Sequence, residues 1–448
     1  MTGLLEKFRV FRHSRKERPR SSRRPNRERE TWLKWVLIGG FVLMGVYFWA
    51  TTARVLGEPI EVSYGPSDPV FASSLGPLLG AEFTAGNRLQ VLVNGDEIFP
   101  AMVKAIHEAK YTITLETYIW ASGRASDLII DALTDRARQG VKITALVDGM
   151  GALKLSHSDK TRLKEAGVEL LKYGREHWYD IKPNVNHRTH RKLLIIDGRV
   201  AFTGGVCIDD HWLGNAESKK VWRETQVKLE GPAVRQMQAI FATNWLQTTS
   251  TLLVGDHYFP QTKGSGSAAV QCFKSGPNED PENARISYLM AIASARKMIR
   301  ISHAYFVPDQ LAIDMLLAAR KRGVTIQVVV PATNDSRIGR AAARSRWGEL
   351  LKAGVEFYLY EPAMYHCKVM IVDDVFATVG SVNFDNRSFA INDEANINVL
   401  DRDFVRDLTK TFEADRQKSR VLRFEEYDDR SIFVKAFDQV CGLFRSQL

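Results

Sequence analysis

Hydrophobic and polar positions follow two spacings that alternate along residues 88–148 and again along 286–331. Short apolar runs typical of strands stand next to longer stretches in which apolar residues recur every three or four positions, as on one face of a helix. In the first region the pattern predicts strand 89–93, helix 96–110, strand 111–119, helix 126–138 and strand 141–148. In the second region it predicts helix 287–298, strand 299–306, helix 311–322 and strand 324–331. Alternating strands and helices indicate an α/β fold in each region, with helices covering a mixed sheet.

The two regions repeat one plan, because short segments recur in the same order. GVKITALV at 140–147 aligns with GVTIQVVV at 323–330, and AGVEL at 166–170 aligns with AGVEF at 353–357. A repeating unit of this length is too long for a solenoid. We therefore predict a duplicated body, made of a first half at 88–248, a connector at 249–285, and a second half with C-terminal helices at 286–448.

One stretch near the N-terminus is apolar on every face. Residues 35–53 are nineteen positions without a charged side chain, which as a helix would span about 28 Å, close to the hydrocarbon thickness of a bilayer. The alternatives are a buried core helix, which is seldom apolar all round, and a cleaved signal peptide, for which the 51–53 segment is only a fair cleavage site. We therefore predict a transmembrane helix at 32–54, between a basic tail at 1–31 and a linker at 55–87.

The net charge of +10 comes from this N-terminal part. The first 34 residues contain twelve Lys or Arg and four Glu, whereas the remainder has 50 basic and 48 acidic residues. Such a tail beside an apolar segment is typical of a disordered cytoplasmic anchor that faces anionic lipid headgroups, rather than of nucleic-acid binding. The charge bias predicts a single-pass protein with a cytoplasmic N-terminus and its body on the far side of the membrane. Four cysteines without paired spacing argue against a disulfide scaffold and a cysteine zinc site.

A second repeated motif contains the candidate chemistry. HRKLLIID at 190–197 and HCKVMIVD at 366–373 share the pattern His-x-Lys, four residues, Asp. Each copy leads, at the same distance, into a glycine-led turn, at 204–207 and 380–383. Because strand side chains alternate between faces, the histidine and the lysine of each copy share one face. A single copy would be interpreted as a buried core histidine, but two copies in register predict catalysis.

These motifs resemble the phospholipase D superfamily and, within it, the bacterial cardiolipin synthases. The flanking segments that strengthen the resemblance are ITLETYIW at 113–120, GGV at 204–206, AYFVPD at 304–309 and GSVNFDNRSFAINDE at 380–394. The resemblance covers about residues 88–420 and implies a duplicated phospholipase D-like α/β sandwich whose halves meet at one active site, preceded here by the predicted transmembrane helix. It also implies a cardiolipin synthase of the bacterial inner membrane, which transfers a phosphatidyl group between two phosphatidylglycerols through a phosphohistidine and releases glycerol.

Transfer at a phosphodiester through a covalent intermediate needs a nucleophile and a separate proton donor, and two histidines supply both. The residues predicted to form the catalytic centre are His190, Lys192, Asp197, His366, Lys368 and Asp373. The lysines stabilise charge on the phosphate oxygens, whereas the aspartates are expected to hold the turn after each strand. By resemblance, His190 is the nucleophile and His366 the acid–base. No carboxylate cluster with metal-ligand spacing lies near either motif, so we predict neither a metal nor a cofactor.

Further residues are expected to contact the phosphate or to orient a histidine. They are Gly205, Ser381, Asn383, Glu394 and Glu116. Hydroxyl, amide and glycine-turn N–H groups are expected to donate to phosphate oxygens. In the family a carboxylate orients each histidine, and Glu394 matches that position in the second half, with Glu116 as the candidate in the first.

Two departures from the family pattern bear on the substrate. Cys207 stands where the family usually has Asn, and His303-Ala304 where it typically has Thr-Pro. The predicted acceptor is a second phosphatidylglycerol, and water, which would make the protein a phospholipase D, is the alternative. A nuclease of the same fold is disfavoured because the body is nearly neutral, and a non-catalytic membrane scaffold because both His–Lys pairs are intact. The expected partners are phosphatidylglycerol and the membrane, without nucleic acid or an obligatory protein partner.

Overall fold

The computed structural model describes residues 27–51, 57–174 and 187–444. Its helices are α1 Arg27–Thr51, α2 Pro69–Leu78, α3 Asn94–Glu108, α4 Arg124–Arg138, α5 His157–Glu165, α6 Val234–Thr249, α7 Asn283–Ser294, α8 Gln310–Lys321, α9 Arg337–Arg344, α10 Gly348–Lys352, α11 Asn386–Ala390, α12 Arg402–Gln417, α13 Phe424–Asp428 and α14 Ile432–Gly442. Its strands are β1 Thr84–Val93, β2 Thr112–Thr117, β3 Lys142–Asp148, β4 Glu169–Tyr173, β5 Leu193–Ile196, β6 Val200–Gly204, β7 Thr225–Glu230, β8 Ala268–Ser275, β9 Met298–His303, β10 Thr325–Pro331, β11 Glu356–Tyr360, β12 Lys368–Val372, β13 Phe376–Gly380, β14 Glu394–Leu400 and β15 Ser419–Leu422.

The fifteen strands of the described residues form one sheet, in the order β15-β11-β10-β9-β12-β13-β14-β8-β1-β7-β6-β5-β2-β3-β4. This order contains one pattern twice, because β4-β3-β2-β5-β6-β7-β1 in the first half mirrors β11-β10-β9-β12-β13-β14-β8 in the second. In each copy three strands are parallel and the others antiparallel. The prediction of a duplicated α/β fold with a mixed sheet is confirmed.

Helices cover both faces of the sheet. On one face, α3 to α5 pack on the first half and α7 to α10 on the second, each group around its own apolar core. On the other face, α6 and α12 cross the junction, since α6 packs on β8 of the second half and α12 on β1 of the first. The two halves therefore share one core and form one body.

The strands that follow the two histidine motifs are buried on both faces. In β5, Leu193 and Ile195 point into the core under α6, whereas Leu194 and Ile196 point into the core under α3 and α4. All residues of β12 are buried in the same manner. A strand that is buried on both faces requires an uninterrupted apolar run. The central place of β5 and β12 in the sheet fixes the segment immediately before each strand at the middle of its half.

The stretches predicted as a linker and as a connector contain regular structure. The predicted connector, 249–285, contains β8, which takes in the second half the place that β1 has in the first. Glycine and serine at 264–267 obscure this short strand, because such residues usually mark loops. The predicted linker, 55–87, contains α2 and the start of β1.

Helix α1 presents large apolar side chains to the outside. Those more than half exposed include Trp32, Trp35 and Leu37. Farther along the helix, the ring of Phe41 packs on that of Phe444, with 4.0 Å between centroids. None of the helices in the described ranges is both long enough and apolar enough to cross a membrane. The predicted membrane segment, 32–54, continues past α1 into residues outside those ranges, where most of the predicted tail, 1–31, also lies.

Candidate active site

Both histidine–lysine pairs lie at the start of central strands. His190 and Lys192 directly precede β5, while His366 directly precedes β12, which begins with Lys368. All four side chains are buried, and the two histidines keep only 9% and 7% of their surface exposed. Burial of four ionisable groups in the middle of one sheet is costly unless they are paired, so their partners decide what this site can do.

Each imidazole is paired with a glutamate of the opposite half. Nδ1 of His190 lies 2.9 Å and 3.0 Å from the two carboxylate oxygens of Glu394. Nδ1 of His366 lies 2.6 Å from Oε2 of Glu224. A carboxylate on Nδ1 holds the proton there and leaves Nε2 as the ring nitrogen for a substrate. In His366, Nζ of Lys368 lies 3.2 Å from this Nε2. The site is therefore completed only by exchange between the halves.

Backbone hydrogen bonds also join each histidine to the opposite half. The N–H of His190 donates to the carbonyl of Asp393 at 2.8 Å, and the N–H of His366 donates to the carbonyl of Arg223 at 2.9 Å. The buried Arg223 guanidinium is itself held by a two-point ion pair with Asp415 on α12, at 2.8 and 2.7 Å. Main chain and side chain thus position both histidines.

Both lysines bring positive charge to the imidazoles. Nζ of Lys192 donates to the carbonyl of His190, and Nζ of Lys368 donates to that of His366, each at 2.6 Å. Burial, followed by Lys192 and Lys368, lowers the pKa of His190 well below its ordinary value. Burial and Lys368 lower the pKa of His366 to about 4, although Glu224 opposes them. Both rings are therefore neutral at neutral pH, and a phosphate anion beside them would favour protonation.

The two carboxylates behind the histidines differ in charge state. Burial alone would raise the pKa of Glu224, but Lys368 and His366 outweigh it, and the pKa is lowered. Burial raises the pKa of Glu394 to about 7, and the opposing effects of Lys192 and nearby hydroxyls do not cancel it. Glu224 is therefore firmly ionised, whereas Glu394 gains a proton near neutrality.

A difference between the two turns accompanies this asymmetry. Ser381 donates its hydroxyl to Glu394, and Ser388 does so at 2.7 Å. The first turn has Gly205 in the position of Ser381, and a Cβ there would overlap the carboxylate of Glu224. Glycine at this position thus leaves room for the close approach of the glutamate.

The two motif aspartates bind backbone amides. Asp197 accepts from the N–H groups of Lys110, Tyr111 and Thr112 at 2.7–2.8 Å. Asp373 does the same for the three residues that lead into β9, at 2.6–2.9 Å. Both aspartates have a left-handed backbone, with φ of 51° and 52°. Their geometry is that of a turn anchor, as the sequence predicts, rather than of groups that touch the reacting phosphate.

Replacing Asp197 by alanine is expected to lower the free energy of unfolding by about 3 kcal/mol, because three amides lose a charged acceptor. Asp197→Asn should cost less, since it keeps one acceptor oxygen and tolerates the left-handed backbone. Urea unfolding followed by circular dichroism measures both. Turnover per folded molecule should stay within a few-fold of the wild type, and a far larger loss of turnover in a fully folded Asp197→Asn would contradict a purely structural role.

The remaining predicted residues lie around this centre. Glu116 is fully buried and accepts from Thr189 and Asn244 at 2.5 and 2.7 Å, with neither catalytic histidine as its partner among the described residues. The backbone N–H of Asn383 donates to the Ser388 hydroxyl, and its side-chain oxygen has no hydrogen-bond partner among the described residues. The predicted donation to phosphate stays a prediction.

The two departures from the family pattern are both buried at the site. The sulfur of Cys207 accepts weakly from the N–H of Ile119 at 3.5 Å, and the cysteine lies beside Lys192 in a small cavity. His303 pairs along the sheet with Lys368, and its Nε2 lies 3.3 Å from the Tyr288 hydroxyl. Burial lowers the pKa of His303 well below its usual value, so it remains neutral.

Glu224 is the residue that sequence reasoning missed. The prediction named Glu116 as the candidate for the orienting role in the first half. The repeat contains a better signal: WRETQVKLE at 222–230 aligns with NDEANINVL at 392–400, and Glu224 then coincides with Glu394. Both glutamates stand at the start of equivalent strands, β7 and β14.

Comparisons with known proteins identify the family. The family described as cardiolipin synthase, PLD-like domain, matches residues 102–245 and 288–416. The chain is similar to cardiolipin synthase 1 of Bacillus cereus, with 35% identity over 351 residues that cover 77% of this chain and 69% of the relative. It is also similar to a cardiolipin synthase of Geobacillus kaustophilus, with 30% identity over 446 residues, 93% of this chain and 89% of the relative.

A solved structure shares the fold. The crystal structure of phosphatidylserine synthase from Haemophilus influenzae superposes with a TM-score of 0.67 at 15% identity, covering 84% of this chain and 100% of that one. At this identity the likeness concerns the fold alone.

Proposed function

Since the chain belongs to the phospholipase D-like family of cardiolipin synthases, we propose that it transfers a phosphatidyl group from one phosphatidylglycerol to a hydroxyl of a second and releases glycerol. The observation that carries the proposal is the pair of buried histidines, each with Nδ1 on a carboxylate. A hydrolytic or synthetic phosphatidyl transfer needs two such groups with opposite duties.

In the first step, Nε2 of His190 attacks phosphorus and the bond to the departing glycerol oxygen breaks. His366 gives its Nε2 proton to that oxygen. In the second step, the hydroxyl of another phosphatidylglycerol loses its proton to His366 and attacks phosphorus, and the P–N bond breaks. Lys192 and Lys368 stabilise the charge on the non-bridging oxygens in both steps.

The opposite pKa shifts of Glu224 and Glu394 support the assignment of His366 as proton donor and His190 as nucleophile. The ionised Glu224 stabilises a positive charge on His366, as a proton donor requires. Glu394 lies near its own pKa and leaves His190 neutral, as a nucleophile requires. This argument is independent of the family resemblance, which assigns the same roles.

The surroundings suit a lipid phosphate at a membrane. The ring of Tyr118 lies 5.2 Å from that of His190, and Trp222 lies 5.0 Å from His366, so aromatic walls flank the polar centre. Phospholipid and the membrane are therefore the partners that we propose. The single-pass anchor, its cytoplasmic N-terminus and the lack of an obligatory protein partner stay predictions.

The function is tested with labelled phosphatidylglycerol in detergent micelles, followed by lipid chromatography. Cardiolipin and glycerol in equal amounts are expected, in the presence or absence of EDTA. Phosphatidic acid as the sole product would identify water as the acceptor and a phospholipase D. No turnover of any phospholipid would refute the proposal.

Removing a hydroxyl that donates a hydrogen bond to Glu394 should shift the pH dependence of adduct formation. Glu394 must be ionised to accept a hydrogen bond from the Nδ1–H group of His190. Because burial raises the pKa of Glu394 to about 7, the rate of adduct formation should fall as the pH drops through that value. Ser388→Ala removes a donor that stabilises the charged form, which raises the pKa of Glu394 further. The acid limb should move up by about one pH unit, because a hydrogen bond to a charged group is worth roughly 1.5–3 kcal/mol and one unit is about 1.4 kcal/mol.

Single-turnover rates across pH measure this shift. Ser294→Ala is the control, since it removes a buried hydroxyl that bonds the Ala291 carbonyl far from the glutamate. An acid limb that stays in place in Ser388→Ala would exclude Glu394 as the group that titrates.

A further inference from the structure

A basic cavity lies at the outer edge of the second half, and none of its lining residues belongs to the active site. It has a volume of about 110 Å³, several times what one water needs. Its charged and aromatic lining residues are Arg340, Arg344, Arg420, Arg430, Glu426, Trp347 and Tyr427. Arginine is the side chain best suited to bind phosphate, since its planar fork offers several donors.

The carboxylates nearby do not balance these arginines. The buried Asp438 of α14 pairs with Arg344 at 2.7 Å and also with Arg430. Arg420 pairs with Glu426 at 2.6 Å and with Glu361 at 3.6 Å, so three carboxylates face four arginines. The guanidinium of Arg340 makes no hydrogen bond or ion pair with the residues that the structure describes.

Two details indicate that this wall accepts an anion. Burial and the neighbouring Arg344 lower the pKa of Arg340, with Asp438 opposing. Within the described residues, Nε of Arg344 is buried without a hydrogen-bond partner. Around one carboxylate there are thus three guanidiniums, and a negatively charged ligand would relieve their repulsion.

Next to the cavity, α14 carries an exposed apolar edge. Ile432 and Phe433 are 73% and 82% exposed, and Phe437, one turn later, is 52% exposed. The opposite side of the same helix holds Asp438 against the cavity arginines. Large apolar side chains beside a basic site are typical of a helix that lies in a lipid surface.

The apolar edge leads on to α1. The C-terminal end of α14 continues into Leu443 and Phe444, which pack against Gly45 and Phe41 of α1. Helix α1 also exposes apolar side chains. These surfaces together favour a lipid surface, rather than a soluble anion alone, as the source of the phosphate.

We propose that the cavity binds the phosphate group of an anionic phospholipid, while the exposed edge of α14 enters the bilayer surface beside it. This second lipid site is separate from the catalytic one and involves no chemistry. It would hold the body on anionic membrane independently of turnover.

The test places a polarity-sensitive fluorophore on α14. The four native cysteines are buried, so Phe433→Cys offers a selective position for the label in the full-length protein. Vesicles of phosphatidylcholine that contain phosphatidylserine should shift its emission to the blue, and vesicles of phosphatidylcholine alone should do so much less. In this background Arg340→Gln should raise the lipid concentration for half of the shift about five-fold, the effect of one basic group at an anionic surface.

Arg138→Gln, on α4 in the first half, removes the same charge away from the cavity and should leave the shift unchanged. The basic N-terminal residues are common to all variants, so they do not affect the comparison. Equal affinity of the labelled protein with and without Arg340→Gln overturns the proposal, as does a label that never shifts. A melting temperature raised by inorganic phosphate in the wild type but not in Arg340→Gln, without any vesicle-induced shift, would assign the cavity to soluble phosphate instead. None of these outcomes depends on the transfer reaction.

Discussion

His190→Ala is expected to abolish the covalent phosphatidyl–enzyme adduct, whereas His366→Ala should still form it slowly. The first substitution removes the atom that is proposed to bond to phosphorus. The second removes only the proton donor, which is worth about 10²–10⁴-fold in rate. Acid-quenched protein after incubation with labelled phosphatidylglycerol, analysed by mass spectrometry, separates the two outcomes.

A substrate with a good leaving group sharpens this distinction. When His190 attacks a phosphatidyl ester of p-nitrophenol, p-nitrophenolate leaves without a proton, so His366→Ala should regain most of the rate of adduct formation with this substrate. His190→Ala should gain nothing. His107→Ala, at a half-exposed position on α3, is the control and should behave as the wild type. Adduct on His366 in the His190→Ala protein would reverse the assignment.

Glu224→Gln is expected to lower turnover by up to about 10⁴-fold, the loss seen when the carboxylate behind a serine-protease histidine becomes an amide. The substitution keeps the shape of the side chain but removes the charge that stabilises protonated His366. The loss should appear in kcat, because the glutamate does not contact the substrate. Far-ultraviolet circular dichroism and the melting temperature confirm that the variant is folded.

The matched control is Glu116→Gln, an equally buried carboxylate in the same half. Its partners are Thr189 and Asn244, so it is expected to change the melting temperature while turnover per folded molecule stays within a few-fold. If Glu116, and not Glu224, set the protonation of a catalytic histidine, Glu116→Gln would lower turnover strongly and Glu224→Gln would not. Equal and severe losses in both variants would point to a shared structural cause.

Local patterns were sufficient to predict most of the fold. Strand 141–148 and helix 311–322 were predicted within a few residues, since their apolar periodicity is decided by the cores they face. Strand β8 was missed because its neighbours are glycine and serine, and because its pairing with β1 and β14 is a long-range property. Periodicity within a window cannot show which strand lies beside which.

The residues of the site likewise divide into those that a local motif reveals and those that only packing brings together. His190, Lys192, His366 and Lys368 could be found because two copies of a local motif coincide. The partner of each histidine could not be found in this way, because Glu394 and Glu224 act on the half to which they do not belong. The unequal pKa values of those glutamates depend on the hydroxyls and lysines that packing brings near them, and no spacing in the chain encodes that.

The exchange of glutamates has a consequence for protein synthesis. Glu394 follows His190 by 204 positions along the chain. A nascent chain therefore carries the proposed nucleophile through nearly half of translation without the carboxylate that orients it. No competent centre exists until the second half has left the ribosome and folded onto the first. An interrupted translation product should consequently be inert towards lipids, and activity should arise in a single step when the chain is finished.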